Sequence, residues 1–105
     1  MDLLNLSGNK VGNEGAKSLA TSLDKIKKLI LLMCNITGQG VLELATKAKE
    51  LEHKMDLLDL SENEVGEEAV QALSLCKGKV DKLKLQFCEI SVHQKEQLKD
   101  MDVEY

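Results

Sequence analysis

Thiol and imidazole side chains are the groups in this sequence with the clearest capacity for covalent chemistry. Cys34 or Cys88, together with His53 or His93, would supply the nucleophile and the general base of a thiol enzyme. Both cysteines, however, occupy one recurring position of an internal pattern, and neither histidine has a defined partner. We therefore expect no catalytic residue and no enzymatic activity.

Metal and phosphate sites are the next chemistry to consider. Three cysteines and two histidines lack the short paired spacings of a zinc site. The segment DLSENEVGEEAV has carboxylates like a calcium loop, but Glu64 stands where such a loop has glycine and Val70 where it has a bidentate glutamate. GNKVGNEG lacks the Lys-Ser/Thr pair of a phosphate-binding loop. We expect no metal and no cofactor.

A pattern that occurs four times sets the elements that carry these residues. Two apolar residues two positions apart precede an Asn or Cys three residues later, and an aliphatic residue follows two positions after that. The four sets are Leu4, Leu6, Asn9, Val11; Leu29, Leu31, Cys34, Ile36; Leu58, Leu60, Asn63, Val65; and Leu83, Leu85, Cys88, Ile90. The spacings are 25, 29 and 25 residues, so Asn-type and Cys-type units alternate.

The second half of each unit has helical spacing. A leucine lies eight residues after each aliphatic position, at Leu19, Leu44, Leu73 and Leu98, with small or apolar residues on the same face. We predict strands at 3–6, 28–31, 57–60 and 82–85, and helices at 14–23, 40–51, 67–76 and 92–101. The strands should form a parallel concave sheet with the helices on the convex side, in a single α/β domain spanning 1–105.

The order of apolar and Asn or Cys positions resembles the leucine-rich repeat. The unit lengths and the Asn/Cys alternation resemble its ribonuclease-inhibitor-like subfamily. This resemblance implies a solenoid that binds a protein partner, similar to the sensor or autoinhibitory repeats of an intracellular NOD-like receptor of innate immunity. A stand-alone binder resembling ribonuclease inhibitor, or a GTPase-activating regulator resembling the Ran activator, are the alternatives. A regulator of that kind would lack an arginine finger, because the sequence has no arginine.

Composition narrows the class of partner. A net charge of −4, no arginine and 2% aromatic residues disfavour nucleic acid. The longest apolar run, 29–34, is too short to span a bilayer, so we expect no membrane contact. Three cysteines without paired spacing are typical of a reducing compartment, and we expect a cytoplasmic protein.

Charged residues divide between the two ends of the predicted strands. Six glutamates fall in the strand-to-helix turns, which predicts an acidic rim: Glu14, Glu62, Glu64, Glu67, Glu68 and Glu89. Lysines fall near the helix ends, on the opposite rim. We interpret this division as complementarity to the helix macrodipoles, with a basic rim for an acidic partner as the alternative.

The second strand is unusual in the side chains that it directs away from the helices. Ile30, Leu32 and Met33 are apolar where its neighbours carry polar residues, and an exposed apolar patch is typical of a contact site. The predicted binding residues on the concave face are Lys28, Ile30, Leu32, Met33, Asp59, Glu62, Lys84 and Phe87.

The two ends of the pattern differ in polarity. The last segment, SVHQKEQLKDMDVEY, is polar enough to cap the array, whereas the first begins within the repeat phrase. We expect a C-terminal piece of a longer array, or a homo-oligomer that pairs through Leu3, Asn5 and Leu6 of the first strand. Asn9 and Asn63 should turn inward and satisfy backbone groups of the turns.

Overall fold

Strands and helices alternate along the whole chain. The computed structural model describes residues 1–105. The strands are β1 (Leu3–Asn5), β2 (Lys28–Ile30), β3 (Met55–Asp59), β4 (Val80–Lys84) and β5 (Val103–Glu104). The helices are α1 (Gly12–Ala20), α2 (Gly38–Lys49), α3 (Glu67–Ser74) and α4 (Val92–Gln97), with a short 3-10 turn at Leu23–Lys25. No helix is long and apolar enough to cross a bilayer.

The strands form one parallel sheet in the order of the sequence. Its register aligns Leu4 with Leu29, Leu29 with Leu58, and Leu58 with Leu83. Successive side chains of a strand point to opposite faces, so this row of leucines faces the helices and its members from β2 onward are fully buried. The predicted leucine-rich-repeat solenoid segment is therefore confirmed as the architecture.

Small residues allow neighbouring helices to approach closely. Ala16, Gly40 and Ala69 are buried where α1, α2 and α3 face one another. A Cβ atom on Gly40 would lie 2.5 Å from Asn13 Oδ1 and 2.6 Å from the Ile36 Cγ2 atom, so only glycine fits there. Gly38 also serves close packing, since a Cβ atom there would lie 2.7 Å from a backbone oxygen. Gly12 and Gly66 instead have positive φ values of 68° and 79°.

One buried asparagine joins the second and third units. Asn63 Oδ1 accepts hydrogen bonds from Cys34 N at 3.1 Å and Ile36 N at 2.9 Å, and its Nδ2 donates to Leu31 O at 2.8 Å. This confirms the inward position predicted for Asn63. Asn9 also bonds to backbone groups of its turn, since its Nδ2 donates to Leu6 O and Ser7 O, but the inward position predicted for it is wrong. Asn9 is exposed because β1 has no strand on its other side.

A fifth strand lies in the segment that we predicted to be a helical cap. Helix α4 begins with a capping box formed by Ser91 and Gln94 and ends at Gln97, four residues before the predicted end. The chain then pairs with β4 through Leu83 N to Asp102 O at 2.9 Å and Leu85 N to Glu104 O at 2.8 Å. The sequence pattern missed β5 because two residues are too few to show a strand period.

Candidate protein-binding surface

The sheet face opposite the helices, which is the predicted concave face, carries a group of partly exposed apolar side chains. Met33 is 56% exposed, and Ile30 and Leu32 beside it are half-buried. Leu3 on β1 and Leu57 on β3 lie on the same face, two residues before the positions that pair with Ile30. We call these five residues the apolar patch. Lys28, also predicted as a contact, is exposed within the patch, because its register partners are Leu3 and Leu57.

Asp59 is not available for contact, contrary to the prediction. Its residue is only 8% exposed, and its Oδ1 accepts a hydrogen bond from Ser61 N at 3.0 Å. Strand alternation places Asp59 outward correctly, but the neighbouring strands and this local turn cover it. The carboxylate therefore orders the end of β3.

The predicted contact Lys84 is paired within the sheet. Its ammonium lies 3.4 Å from Glu104 Oε2, and Lys82 lies 3.5 Å from Asp102 Oδ1. The fifth strand thus places two carboxylates beside the two lysines of β4. Such exposed pairs stabilise a fold by about 0–1 kcal/mol, so the lysines remain able to exchange partners.

Three large side chains share one left-handed backbone position at the ends of successive strands. Met33, Glu62 and Phe87 have φ values of 52°, 58° and 59°, and the equivalent residue of the first unit is Gly8 at 77°. The left-handed conformation costs an L-residue about 1–2 kcal/mol. Phe87 is nevertheless 83% exposed, so packing of its ring gives little in return.

An acidic groove of about 550 Å³ lies beside this row, in the strand-to-helix turns of units two to four. We define it by Glu62, Glu64, Phe87 and Glu89, with Asn63 and Cys88 at its base. None of the 14 lysines lines it. Sequence reasoning placed Glu64 and Glu89 on the acidic rim but missed them as site residues; their position directly after Asn63 and Cys88 is the signal.

The cysteines have structural roles. Cys34 Sγ donates to Leu6 O at 3.0 Å, and Cys88 Sγ donates to Leu60 O at 3.3 Å. Burial raises the pKa of both thiols, and it raises the pKa of Cys76 to about 11 against a smaller opposing effect of Lys49. All three thiols are free and buried, so the nucleophilic thiolate is disfavoured.

The histidines lie apart from these thiols. His53 and His93 are both exposed, and neither exchanges a hydrogen bond with a cysteine, because each Sγ donates to a backbone carbonyl. His53 instead lines a second groove of about 560 Å³ at the opposite rim, below the longer second unit. That groove contains both lysines and carboxylates, so its charge does not favour a ligand of one sign.

The predicted self-association edge is only partly exposed. Leu3 and Asn5 are exposed on β1, whereas Leu6 is half-buried and packs against the core. Asn5 Oδ1 accepts hydrogen bonds from Ser7 N at 2.9 Å and Ser7 Oγ at 2.6 Å, which orders the end of the strand. Leu3 is therefore the apolar side chain of this edge that another molecule can reach.

The comparison with known families agrees with this architecture. A family model described as a leucine-rich repeat matches residues 3–20 and 53–74. The first match contains β1 and α1, and the second contains β3 and α3. These are the two Asn-type units. No solved structure matches the chain. The two family matches and the parallel sheet with its row of helices together support a leucine-rich-repeat architecture.

Proposed function

We propose that this chain is a non-enzymatic module that recognises a protein partner through the concave face, with the apolar patch at the centre of the contact. Leucine-rich repeats are generally protein-interaction modules, because their strands present a broad and rigid surface. The observation that carries the proposal is the adjacency of Ile30, Leu32 and Met33, where the equivalents of Ile30 and Leu32 are polar, as Asp59 and Ser61 in the third unit and Lys84 and Gln86 in the fourth. Contiguous exposed apolar side chains beside charged ones are typical of a contact site.

The substitutions that test this surface can be chosen from the repeat itself. Lys84 occupies in β4 the position of Ile30 in β2, and Glu62 adopts the same left-handed conformation as Met33. The double change Ile30→Lys, Met33→Glu therefore introduces residue types that the fold already accepts at these positions. We expect it to abolish capture of a partner from an extract of the source cells while the circular dichroism spectrum is unchanged.

A matched control changes the same charges on the helical side. Thr46→Lys with Gln71→Glu places one lysine and one glutamate on exposed positions of α2 and α3. This variant should capture the same partner as the unmodified chain. Equal capture by both double variants would refute the concave-face proposal.

The cellular role that we propose is that of the sensor or autoinhibitory repeats of a NOD-like receptor, or of a stand-alone binder similar to ribonuclease inhibitor. The alternation of Asn-type and Cys-type units supports this choice. Three buried free thiols support a cytoplasmic location, where thiols stay reduced. Acceleration of GTP hydrolysis by a candidate small GTPase would instead favour a regulator resembling the Ran activator.

Self-association through β1 is a separate proposal. Leu4 and Leu6 are half-buried, whereas their equivalents in the next three units are buried, and Asn9 Oδ1 accepts no hydrogen bond where Asn63 Oδ1 accepts two. The change Leu3→Lys, which copies Lys28 and Lys82, should lower the mass measured by light scattering at micromolar concentration. Leu75→Lys on the helical side is the control, and a monomer in every sample would contradict the proposal.

A further inference from the structure

The strand-to-helix turns of units two to four form a second surface, distinct from the apolar patch except for Met33. Phe87 is 83% exposed and Met33 is 56% exposed, and they lie two strands apart at the same level of the repeat. Strands lie about 4.8 Å apart, so the two apolar side chains are separated by about 10 Å. Glu62 lies between them at the equivalent position of β3.

The sign of the lining charge distinguishes this groove from the groove at the opposite rim. Glu62, Glu64 and Glu89 line the acidic groove, no lysine lines it, and none of these carboxylates forms an ion pair within 4 Å. The groove that contains His53 is lined by both lysines and carboxylates. The groove therefore offers unneutralised negative charge beside an exposed aromatic ring, and a cation can satisfy both at once.

We propose that the acidic groove docks a basic segment of a protein partner, in which a lysine or arginine is flanked by apolar residues. The cationic side chain lies between the Glu62 and Glu89 carboxylates and the face of Phe87. A peptide in the polyproline II conformation has three residues per turn and advances about 3.1 Å per residue, so apolar residues three positions apart lie on one face and match the separation of Met33 and Phe87. The segment thus has the order apolar, basic, basic, apolar.

The left-handed conformation of the three equivalent residues at the groove is consistent with this use. Gly8 shows that glycine satisfies this turn in the first unit, yet the units that border the groove carry Met33, Glu62 and Phe87. Exposed side chains at strained positions add little to the stability of the fold. Contact with a ligand gives these side chains a role that folding does not supply.

That the ligand is a protein segment rests on the proposed function. A defined peptide tests the groove separately from that function. The probe is the blocked octapeptide Gly-Ser-Leu-Lys-Arg-Leu-Ser-Gly, added at low salt to the full chain labelled with nitrogen-15. We expect amide shifts confined to the acidic groove and the adjoining turns. The same peptide with two glutamates in place of its basic pair should cause no shifts.

Two double variants separate docking from general attraction to an acidic protein. Glu62→Gln with Glu89→Gln should raise the dissociation constant about fivefold, as the loss of two exposed ion pairs implies. Glu14→Gln with Glu52→Gln removes the same charge elsewhere and should leave it within about twofold, as expected for screened distant charges. Equal weakening in both variants, or no shift at millimolar peptide, would overturn the proposal.

A third variant separates this docking site from the concave face. Ile30→Gln changes the apolar patch outside the groove and should leave peptide binding intact. Peptide binding without any effect of Ile30→Lys alone on partner capture would remove the concave-face proposal and leave the groove, because Ile30→Lys keeps Met33. The reverse pair of results would remove the groove and leave the concave face.

Discussion

Replacing Phe87 with glycine should leave the free energy of unfolding nearly unchanged, although it removes the only phenylalanine of the chain. Glycine relieves the left-handed conformation at φ 59°, a gain of about 1–2 kcal/mol. The ring is 83% exposed, so its loss removes about one sixth of the roughly 200 Å² of a phenylalanine, or about 0.8 kcal/mol. The greater freedom of glycine in the unfolded chain costs a further 0.4–1 kcal/mol, roughly. The terms cancel to within about 1 kcal/mol.

Alanine at the same position gives the comparison that isolates the backbone. Phe87→Ala loses the same packing but keeps the strain, so we expect it to be less stable than Phe87→Gly by up to about 1.6 kcal/mol. Val92 is the matched control, because it is 86% exposed but lies in the first turn of α4. There the order reverses, and Val92→Gly should be less stable than Val92→Ala by roughly 0.4–1 kcal/mol, because glycine has more freedom in the unfolded chain and relieves no strain at this position.

Urea unfolding followed by circular dichroism measures the four variants under one condition. The reasoning is supported if the glycine variant has the higher free energy of unfolding at position 87 and the lower one at position 92. A glycine variant less stable than the alanine variant at both positions would refute it, because strain at Phe87 would then be absent. Phe87→Gly should also weaken binding of the basic octapeptide, since the fold keeps its stability while the groove loses its aromatic ring.

Three further predictions concern the core. Asn63→Ala should lower the free energy of unfolding in urea by at least about 3 kcal/mol, because five buried hydrogen bonds are lost. Asn9→Ala should lower it by under about 1 kcal/mol. Equal losses would contradict the role of Asn63 in joining the second and third units. Gly40→Ala should lower the melting temperature through overpacking, and Gly15→Ala should lower it less, because only the Val11 side chain must move there, whereas a Cβ at Gly40 meets both Asn13 and Ile36. Burial raises the pKa of Cys76 in the folded chain to about 11, above the ordinary thiol value of 9.0, so its contribution to stability is complete below pH 9 and is lost as the pH rises through 11. Cys76→Ala should flatten that part of the stability curve, and an unchanged slope would show that the thiol is not its source.

Most of the fold could be predicted because each unit repeats the same short-range constraints. The apolar pair, the Asn or Cys and the following aliphatic residue fix a strand and its turn, and the eight-residue step to the leucine fixes the helix. Asn63 follows the prediction because strands on both sides of β3 are present. Asn9 does not follow the prediction. The residues around it in the sequence match those around Asn63, but β1 has a neighbouring strand on one side only.

The candidate site was predicted less completely. Alternation along a strand indicates which side chains point away from the helices, and it placed Met33 and Phe87 correctly on exposed surface, whereas Ile30 is half-buried. It could not show that Asp59 is covered, since that depends on the neighbouring strands and on the hydrogen bond to Ser61. Nor could it group Glu64 with Glu89, which are 25 residues apart in sequence and meet only when the units stack.

The sequence by itself determined the repeat, the alternation of Asn-type and Cys-type units and the face that each leucine buries, because these depend on spacing within a unit. The tertiary structure decided which residues at equivalent positions of the repeat have different environments. Stacking pairs β5 with β4 and joins three turns into the acidic groove. It also leaves Phe87 exposed in a conformation that favours glycine. These properties arise between units, where the environment of a residue depends on neighbours far away in the chain.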